Sequence, residues 1–441
     1  MKILLRRAHI LTMDDAFTEY PDGWLLTDEK TIAALGDGAP PEAMLSAADQ
    51  VIDCEGGLLL PGFVNLHCHA SMVPFRTMGD DCPDRLRRFL FPLENEALTP
   101  ELTYLGARFG IAEMLLAGVT TFVDMYYFED QVARACLETG MRGYLGETVI
   151  SQKTPDGAGD ADGLALSEAL FRAFPKEDLV RPIAAPHGTT TVSETALRRC
   201  GALSEKYGAL LTLHAAEMDY EMRFFADRGT TPIAFLDGIG LCHDRLLAAH
   251  CIHLSQQDMD ILRDRGVRVA HCIGSNTKAG KGVAPIRDLN ARGVPFGLGT
   301  DGPSSGNTLS LFDQMRLFAV CHKTVHHDRA LFPAREIVFA ATRGGARALH
   351  AENEFGSLRP GFKADLALIS IKSAHMFPVY NPYSSLVYGA NASDVSLVMT
   401  GGKIRVKNGQ LTDFDLGDLK ARLERAMGPF RLAAQRYADI V

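Results

Sequence analysis

The chain has 441 residues, of which 46% are hydrophobic and 22% are charged, a composition typical of globular proteins and not of disordered or fibrous ones. Its formal net charge is −9 and it has no Lys/Arg-rich stretch, which argues against binding to nucleic acid or to an anionic membrane surface. No apolar run is long enough to cross a bilayer. Nine scattered cysteines without a CxxC pair predict a reducing, cytoplasmic location.

The two ends of the chain are predicted to be rich in strands. The stretch MKILLRRAHILTM is interpreted as a strand rather than a signal peptide, and the turn YPDG and the strand WLLTD follow it. Strand patterns return late in the chain in ADLALISI and in VSLVMTGGKIRVKNG, and a charged helix is predicted from about Leu416 to Tyr437. We therefore predict one small β-sandwich domain built from both chain ends, residues 1–60 and 358–441, which includes the C-terminal helix.

Residues 61–357 show a different pattern, in which short apolar strands alternate with helical segments. GVTTFVDMY precedes the helical EDQVARACLETG, and Ser193 is in position to cap the helix ETALRRCGALSEKYG. Alternation of this kind over such a length predicts a parallel sheet, most simply a (β/α)₈ TIM-like barrel. The predicted fold class is therefore α/β.

Polar side chains end several of the predicted barrel strands. In PGFVNLHCHA, His67 and His69 are two residues apart and so point to the same face of a strand. Because the carboxyl ends of barrel strands meet at one mouth, such residues are expected to lie together, and a mixed set of nitrogen and oxygen ligands suits Zn²⁺ or Fe²⁺. Taken singly, each of the further histidines would more often be a structural or polar surface residue than a ligand. The further strand-end residues are His214 in LTLHAAE, His250 in AAHCIHLS, His271 in VRVAHCIGSN and Asp301 in GLGTDG.

Four segments, PGFVNLHCHA, HAAE, AAHCIHLS and GTDGPSSGNTLSLFDQMR, resemble the amidohydrolase superfamily. More narrowly, they resemble its aminohydrolase branch, which includes deaminases of adenosine thioethers, guanine deaminases and triazine chlorohydrolases. The resemblance extends over nearly the whole chain, including PGFKADLALI. It implies one divalent metal, with zinc the first expectation and iron the alternative, and ligands at His67, His69, His214 and Asp301. It also implies catalytic roles for Glu217 as proton shuttle, His250 beside the reacting centre, and Asp301 as a proton acceptor.

The resemblance also implies substrate contacts at Glu94, His187 and Ser305. Each of these has a plain structural alternative, respectively a helix-start carboxylate, a strand-end histidine and a turn serine. The segment GMRGYLGET departs from the resemblance, because Glu147 stands where deaminases of S-adenosylhomocysteine have an arginine. A carboxylate at that place reverses the charge preference, so we hypothesise that Glu147 faces N–H donors of the substrate.

These observations predict a metal-dependent hydrolytic deaminase that releases ammonia from a nitrogen heterocycle such as a purine, a pterin or an aminopyrimidine. A small-molecule substrate is the expected partner, and the resemblance implies a homo-oligomer. Hydrolytic dechlorination or dealkylamination of a triazine-like ring is one alternative, and a non-catalytic scaffold on the same fold is another. A two-metal centre with a bridging lysine is disfavoured, because the corresponding stretch RPIAAPHGTT has His187 and no lysine.

Overall fold

The computed structural model describes residues 1–437, so residues 438–441 of the predicted end domain lie outside the described part. The strands are β1 Ile3–Leu11, β2 Glu19–Asp28, β3 Thr31–Asp37, β4 Gln50–Asp53, β5 Leu58–Pro61, β6 Phe63–Cys68, β7 Val119–Tyr126, β8 Arg142–Val149, β9 Val180–Pro182, β10 Ala185–Pro186, β11 Leu211–Ala215, β12 Leu246–His250, β13 Arg268–His271, β14 Phe296–Leu298, β15 Leu366–Ile369, β16 Val395–Thr400, β17 Lys403–Lys407 and β18 Gln410–Leu411.

The α-helices are α1 Glu42–Ala47, α2 Phe91–Ala97, α3 Pro100–Leu116, α4 Glu129–Thr139, α5 Asp160–Ala173, α6 Glu194–Tyr207, α7 Asp219–Ala226, α8 Pro232–Gly238, α9 Gln256–Arg265, α10 Ile273–Lys278, α11 Ile286–Ala291, α12 Leu311–His326, α13 Ala334–Ala341, α14 Arg343–Ala348, α15 Pro382–Ser384 and α16 Leu416–Ala434. Short 3-10 segments are Ala70–Phe75, Ala374–Met376, Ala392–Asp394 and Gln435–Tyr437, and π turns are Leu86–Leu90 and Ser385–Gly389.

The strands from the two chain ends form one nine-stranded sheet, in the order β18-β17-β16-β15-β5-β1-β2-β3 with β4 beside β1. The two ends join where β15 runs antiparallel to β5, with Leu368 opposite Leu59. Side chains alternate between the faces of β1, so Ile3 and Leu5 enter the main core of the sheet whereas Leu4 packs with Trp24 on the other face. The predicted pairing of N-terminal with C-terminal strands is therefore confirmed.

The predicted turn at YPDG is wrong, because Tyr20 to Gly23 lie inside β2. The register of β2 against β1 shifts between the pairs Ala8–Gly23 and Ile10–Tyr20, so Pro21 lies at an irregularity of the ladder. Proline is tolerated at such a point because the local ladder hydrogen bonds are already interrupted.

The barrel strands lie in two sheets, ordered β10-β8-β7-β6 with β9 beside β8, and β11-β12-β13-β14. Parallel bridges between Gly188 and His214 and between Ala184 and Leu211 connect the two sheets on one side. On the other side the backbone N–H of Asp301 donates to the carbonyl of His67 at 3.0 Å. Every residue of β6, β7, β8 and β12 is buried, as expected of parallel strands covered on both faces. The (β/α)₈ fold class is confirmed.

Two compact units account for the chain. The first contains residues 1–65, 112–121 and 310–414, and the second contains residues 66–111, 122–309 and 415–441. In the second unit, Phe430 of α16 packs edge-on against Phe75 with ring centroids 4.7 Å apart. The domain boundaries predicted near residues 60 and 358 stay a prediction.

The cysteines and the helices each bear on a prediction made from the sequence. All nine cysteines are free thiols. Among residues 1–437, no helix has both the length and the apolar character that crossing a bilayer requires.

Candidate metal centre and active site

Three histidines meet at the carboxyl ends of the barrel strands. His67 lies near the end of β6, His69 follows that strand, and His214 lies on β11. One potential ligand atom from each lies within 4.8 Å of those of the other two. The ring centroids of His67 and His69 are 4.9 Å apart, as are those of His67 and His214. This cluster has the size that a single ion requires.

Backbone carbonyls orient two of these rings. The Nδ1–H of His69 donates to the carbonyl oxygen of Met125 at 2.6 Å, and the Nδ1–H of His214 donates to that of His187 at 2.6 Å. Because a carbonyl can only accept, each contact puts the proton on Nδ1. The Nε2 lone pair of both rings is then free to bind a metal, which is the usual arrangement of metal-ligating histidines.

His67 has the most unusual surroundings of the three. It is fully buried, and neither of its ring nitrogens has a hydrogen-bond partner among the described residues. Burial, together with the neighbouring His214 and His69, holds the pKa of His67 well below its usual value, so the ring is neutral. A buried, neutral and unpartnered imidazole is costly without a ligand and well suited to a metal.

Asp301 follows β14 and supplies a carboxylate to the cluster. Its Oδ1 lies 3.4 Å from His69 Nε2, and its Oδ2 accepts a 2.6 Å hydrogen bond from Ser275. Burial alone would raise the pKa of Asp301, but the nearby His69, His250 and His67 outweigh it and keep the pKa below its usual value. Three neutral imidazoles and one carboxylate fit a divalent ion such as zinc, so the residues present suit the predicted cofactor.

Glu217 and His250 lie beside this cluster. His250 ends β12, with the unusual φ of 71°, and its Nε2 lies 3.8 Å from Glu217 Oε1. The Nδ1–H of His250 donates to Asn276 Oδ1 at 2.8 Å, which turns Nε2 towards Glu217 and the metal ligands. The 0% exposure of His250 excludes a surface role.

Two contacts fix Glu217, one at its carboxylate and one at its backbone. Lys281 Nζ donates to its Oε1 at 2.5 Å, and the backbone N–H of Glu217 donates to Glu221 at 2.8 Å. Burial alone would raise the pKa of Glu217, but the nearby His250, Lys281 and His214 outweigh it and lower the pKa below its usual value. Glu217 is therefore a carboxylate while the pocket holds only protein groups.

The predicted substrate contacts Glu94 and His187 lie close to the cluster. Glu94 on α2 is buried, accepts a 2.7 Å hydrogen bond from Tyr126, and has a pKa raised by burial to about 7. The ring of His187 lies 4.8 Å from that of His214, and its Nδ1 is hydrogen-bonded to Thr191 at 2.8 Å.

The other two predicted contacts lie in different settings. Ser305 is on the loop after Asp301, and its hydroxyl accepts a hydrogen bond from Arg85 at 3.3 Å. Glu147 on β8 is buried and accepts the backbone N–H of Glu129 at 2.9 Å. Burial, with the adjacent Asp156, raises the pKa of Glu147 well above its usual value. The roles assigned to these residues from the sequence stay predictions.

A cavity of about 680 Å³ lies next to His187. Phe91, one of its lining residues, is 5.6 Å from the His187 ring between centroids, and Thr191 makes the hydrogen bond to His187. The cavity's other lining residues are Arg87, Pro92, Asn95, Ser151, Gln152, Lys153, Thr190, Val192 and Ser193.

Several functional neighbours were missed in the sequence analysis. Ser275 and Asn276 follow the strand-end His271 within HCIGSN, a polar pair that could have marked them. Tyr126 ends β7, and its partner Glu94 is distant in the chain. Nothing in the sequence marked Lys281, because its contact with Glu217 spans 64 residues.

Known proteins resemble this chain in both sequence and structure. Residues 58–405 match the family described as "Amidohydrolase family". A 5-methylthioadenosine/S-adenosylhomocysteine deaminase of Nitratidesulfovibrio vulgaris (strain DP4) is 38% identical over 426 residues, which cover 96% of each chain. An adenosine deaminase from Xanthomonas campestris, solved with bound zinc, superposes with a TM-score of 0.93 at 29% identity and 98% coverage of both chains.

An atrazine chlorohydrolase from Arthrobacter aurescens, complexed with zinc, has a TM-score of 0.88 at 24% identity and covers 96% of this chain and 100% of its own. At that identity the likeness shows the fold alone.

The fold and the site define a barrel hydrolase, and the chain belongs to the amidohydrolase family. It is a hydrolase of the class that acts on carbon–nitrogen bonds other than peptide bonds.

Proposed function

We propose that the protein is a metal-dependent aminohydrolase that replaces an exocyclic amino group on a purine or a related aminated ring with oxygen and releases ammonia. The proposal rests on one observation: the ligand atoms of His67, His69 and His214 lie within 4.8 Å of one another, beside the carboxylate of Asp301. The adenosine-type deaminases among its relatives support the choice of substrate class.

His67, His69, His214 and Asp301 would hold the ion. A divalent ion bound there supplies Lewis acidity, which makes water a competent nucleophile at neutral pH. Zinc is the preferred ion because imidazole and carboxylate ligands suit it, and a zinc-bound relative supports the choice.

The remaining chemistry belongs to the side chains. Asp301 accepts a proton from the attacking water. Glu217, once it has taken up a proton with the bound substrate, donates it to the ring nitrogen next to the amino carbon. His250, directed by Asn276, hydrogen-bonds to the oxygen that adds to that carbon. Asp301 then passes its proton to the amine, the hydroxyl proton of the adduct returns to Glu217, and ammonia leaves, so the amine and water become the oxo product and ammonia. Positioned acid–base groups of this kind typically contribute about 10²- to 10⁴-fold in rate.

Two alternatives make different predictions. A chlorohydrolase would release chloride from a chlorinated triazine, and a scaffold would release nothing. Conversion of amines is favoured over dechlorination because the amine-releasing relatives cover nearly the whole chain at higher identity than the chlorohydrolase does.

The test is an ammonia-release screen of the metal-loaded protein against aminopurines, aminopterins and aminopyrimidines, with chloride release from a chlorotriazine measured in parallel. Glu217→Gln should lower kcat by roughly 10²- to 10⁴-fold without loss of metal. Asp219→Asn is the matched control, because that carboxylate is 79% exposed and pairs with His253 at 3.7 Å. Release of chloride without ammonia, or full activity of Glu217→Gln, would contradict the proposal.

A further inference from the structure

Lys281 has a position that the proposed reaction does not explain. Its ammonium contacts Glu217 Oε1 at 2.5 Å, and the two side chains are only 22% and 13% exposed. His250 approaches the same oxygen, so Oε2 of Glu217 is the oxygen left for a substrate ring nitrogen. The lysine therefore lies at the side of the carboxylate, next to the place where that ring nitrogen must bind.

This contact opposes the role of Glu217 as a proton donor. An ammonium ion bound to a carboxylate stabilises its charged form, whereas Glu217 must carry a proton in order to donate one. The two requirements are compatible only if Lys281 exchanges Glu217 for another acceptor when the substrate binds. A largely buried ammonium ion needs such an acceptor, because leaving it unpaired is costly.

The backbone around Lys281 permits that exchange. Lys281 follows α10 and lies between Gly280 and Gly282, which have φ values of 65° and 118°. Its own N–H donates to the carbonyl of Asn276 at 3.0 Å, which ties the loop to the helix that carries Ser275 and Asn276. The residue is thus anchored at its backbone, so the exchange requires rotation of the side chain alone.

A second cation, Arg85, lies near Lys281 and favours a substrate that presents an oxygen acceptor on this side. Arg85 lies within electrostatic range of both Lys281 and Asp301, and its guanidinium donates to the carbonyl of Ser304 at 2.5 Å. Arg85 is thus a second cation on this side, and it also pairs with Asp80 at 3.5 Å. A ring with a carbonyl oxygen on this side would be attracted to both cations.

We propose that Lys281 is a specificity-determining residue that binds a ring oxo group separated by one carbon from the nitrogen that Glu217 contacts. Glu217 and Lys281 touch one another, so they match two substrate atoms attached to the same carbon. The substrate class is then an aminated ring in which the amino carbon, a ring nitrogen and an oxo carbon follow one another. Cytosine has this unit with an unprotonated ring nitrogen, as does the N3–H tautomer of isoguanine, and adenine lacks the oxo group. This inference rests on the proposed function.

The experiment compares kcat/KM for pairs of substrates that differ only in that oxo group, using the metal-loaded protein. The pairs are isoguanine with adenine, and cytosine with 4-aminopyrimidine. The wild type should prefer the oxo member by roughly 10- to 100-fold, the usual contribution of a charged hydrogen bond. Lys281→Met should remove that preference by lowering kcat/KM for the oxo member, and Lys281→Arg should retain it.

Lys278→Met is the matched control, because Lys278 lies three residues earlier and pairs with Asp80 at 2.7 Å instead of Glu217. It should leave the preference unchanged. An equal effect of Lys281→Met on both members of a pair would overturn the inference, as would a wild type that prefers the member without the oxo group. Absence of ammonia release from every aminated ring would instead overturn the proposed function, so the two failures are distinguishable.

Discussion

Asn276 decides which nitrogen of His250 faces the reacting centre. Its Oδ1 accepts the Nδ1–H of His250 at 2.8 Å, which leaves Nε2 on the side of Glu217. We expect Asn276→Ala to lower kcat by about 10- to 100-fold with unchanged metal content, since outer-shell partners of this kind typically contribute that much. Steady-state ammonia release and metal analysis measure both quantities. Thr277→Ala is the control, because its hydroxyl donates only within α10, and equal activities of the two variants would contradict this role.

The sequence predicted the side chains of this site better than the contacts that orient them. His67 and His69 were predicted from their two-residue spacing, which any strand converts into a shared direction. The carbonyls of Met125 and His187 could not be predicted, because every residue has a carbonyl and only the assembled barrel selects these two. The same limit applies to Lys281, whose partner Glu217 lies on another loop.

Strand β7 and helix α4 each carry a buried acidic side chain, Asp124 and Glu129 respectively. Burial raises the pKa of Asp124 on β7 to about 7, and burial beside Asp124 and Glu147 raises that of Glu129 on α4 well above its usual value. A carboxyl group whose folded-state pKa is raised contributes its full stability below the unfolded-state pKa, near 4, and loses it as the pH rises through the folded-state value. These elements therefore hold together best when the acids are protonated.

The corresponding prediction concerns Glu129→Gln. Relative to wild type, this variant should gain free energy of unfolding as the pH rises from 5 to 8, because the amide cannot ionise. Chemical denaturation at several pH values measures the difference, and comparison with wild type cancels the titration of other groups. Asp130→Asn, the next residue on α4, is the exposed control. A difference between Glu129→Gln and wild type that did not vary with pH would show that Glu129 is ionised throughout.

Most elements were predictable from local patterns, and the exceptions have physical causes. The cap at Ser193 was predicted and is confirmed, since its side chain accepts from the N–H of Ala196. The prediction of a turn at YPDG was wrong because the pairing of β1 with β2 has an irregular register, which lets Pro21 stay in the sheet. A Cβ at Gly23 would lie 2.7 Å from the side chain of Ile10, so close packing explains that glycine better than a turn does.

At the scale of the whole molecule, both the site and the sheet join residues that are far apart in the chain. The site's metal ligands run from His67 to Asp301, and the sheet of the first unit joins residues as distant as Leu59 and Leu368. The alternation of strands and helices predicted the barrel, and the strand-rich ends predicted their own pairing. The expected homo-oligomer and cytoplasmic location have no counterpart in a single chain and stay predictions.

The metal content of the purified protein tests the account most directly, because every proposed step depends on one ion held by His67, His69, His214 and Asp301. Elemental analysis should find about one equivalent of zinc or iron per chain, as expected for a mononuclear site. His69→Ala and His214→Ala should each lose most of it, while His253→Ala, which pairs with Asp219, should retain it. Ammonia release by a protein that holds no stoichiometric metal, or undiminished metal in the first two variants, would contradict the account.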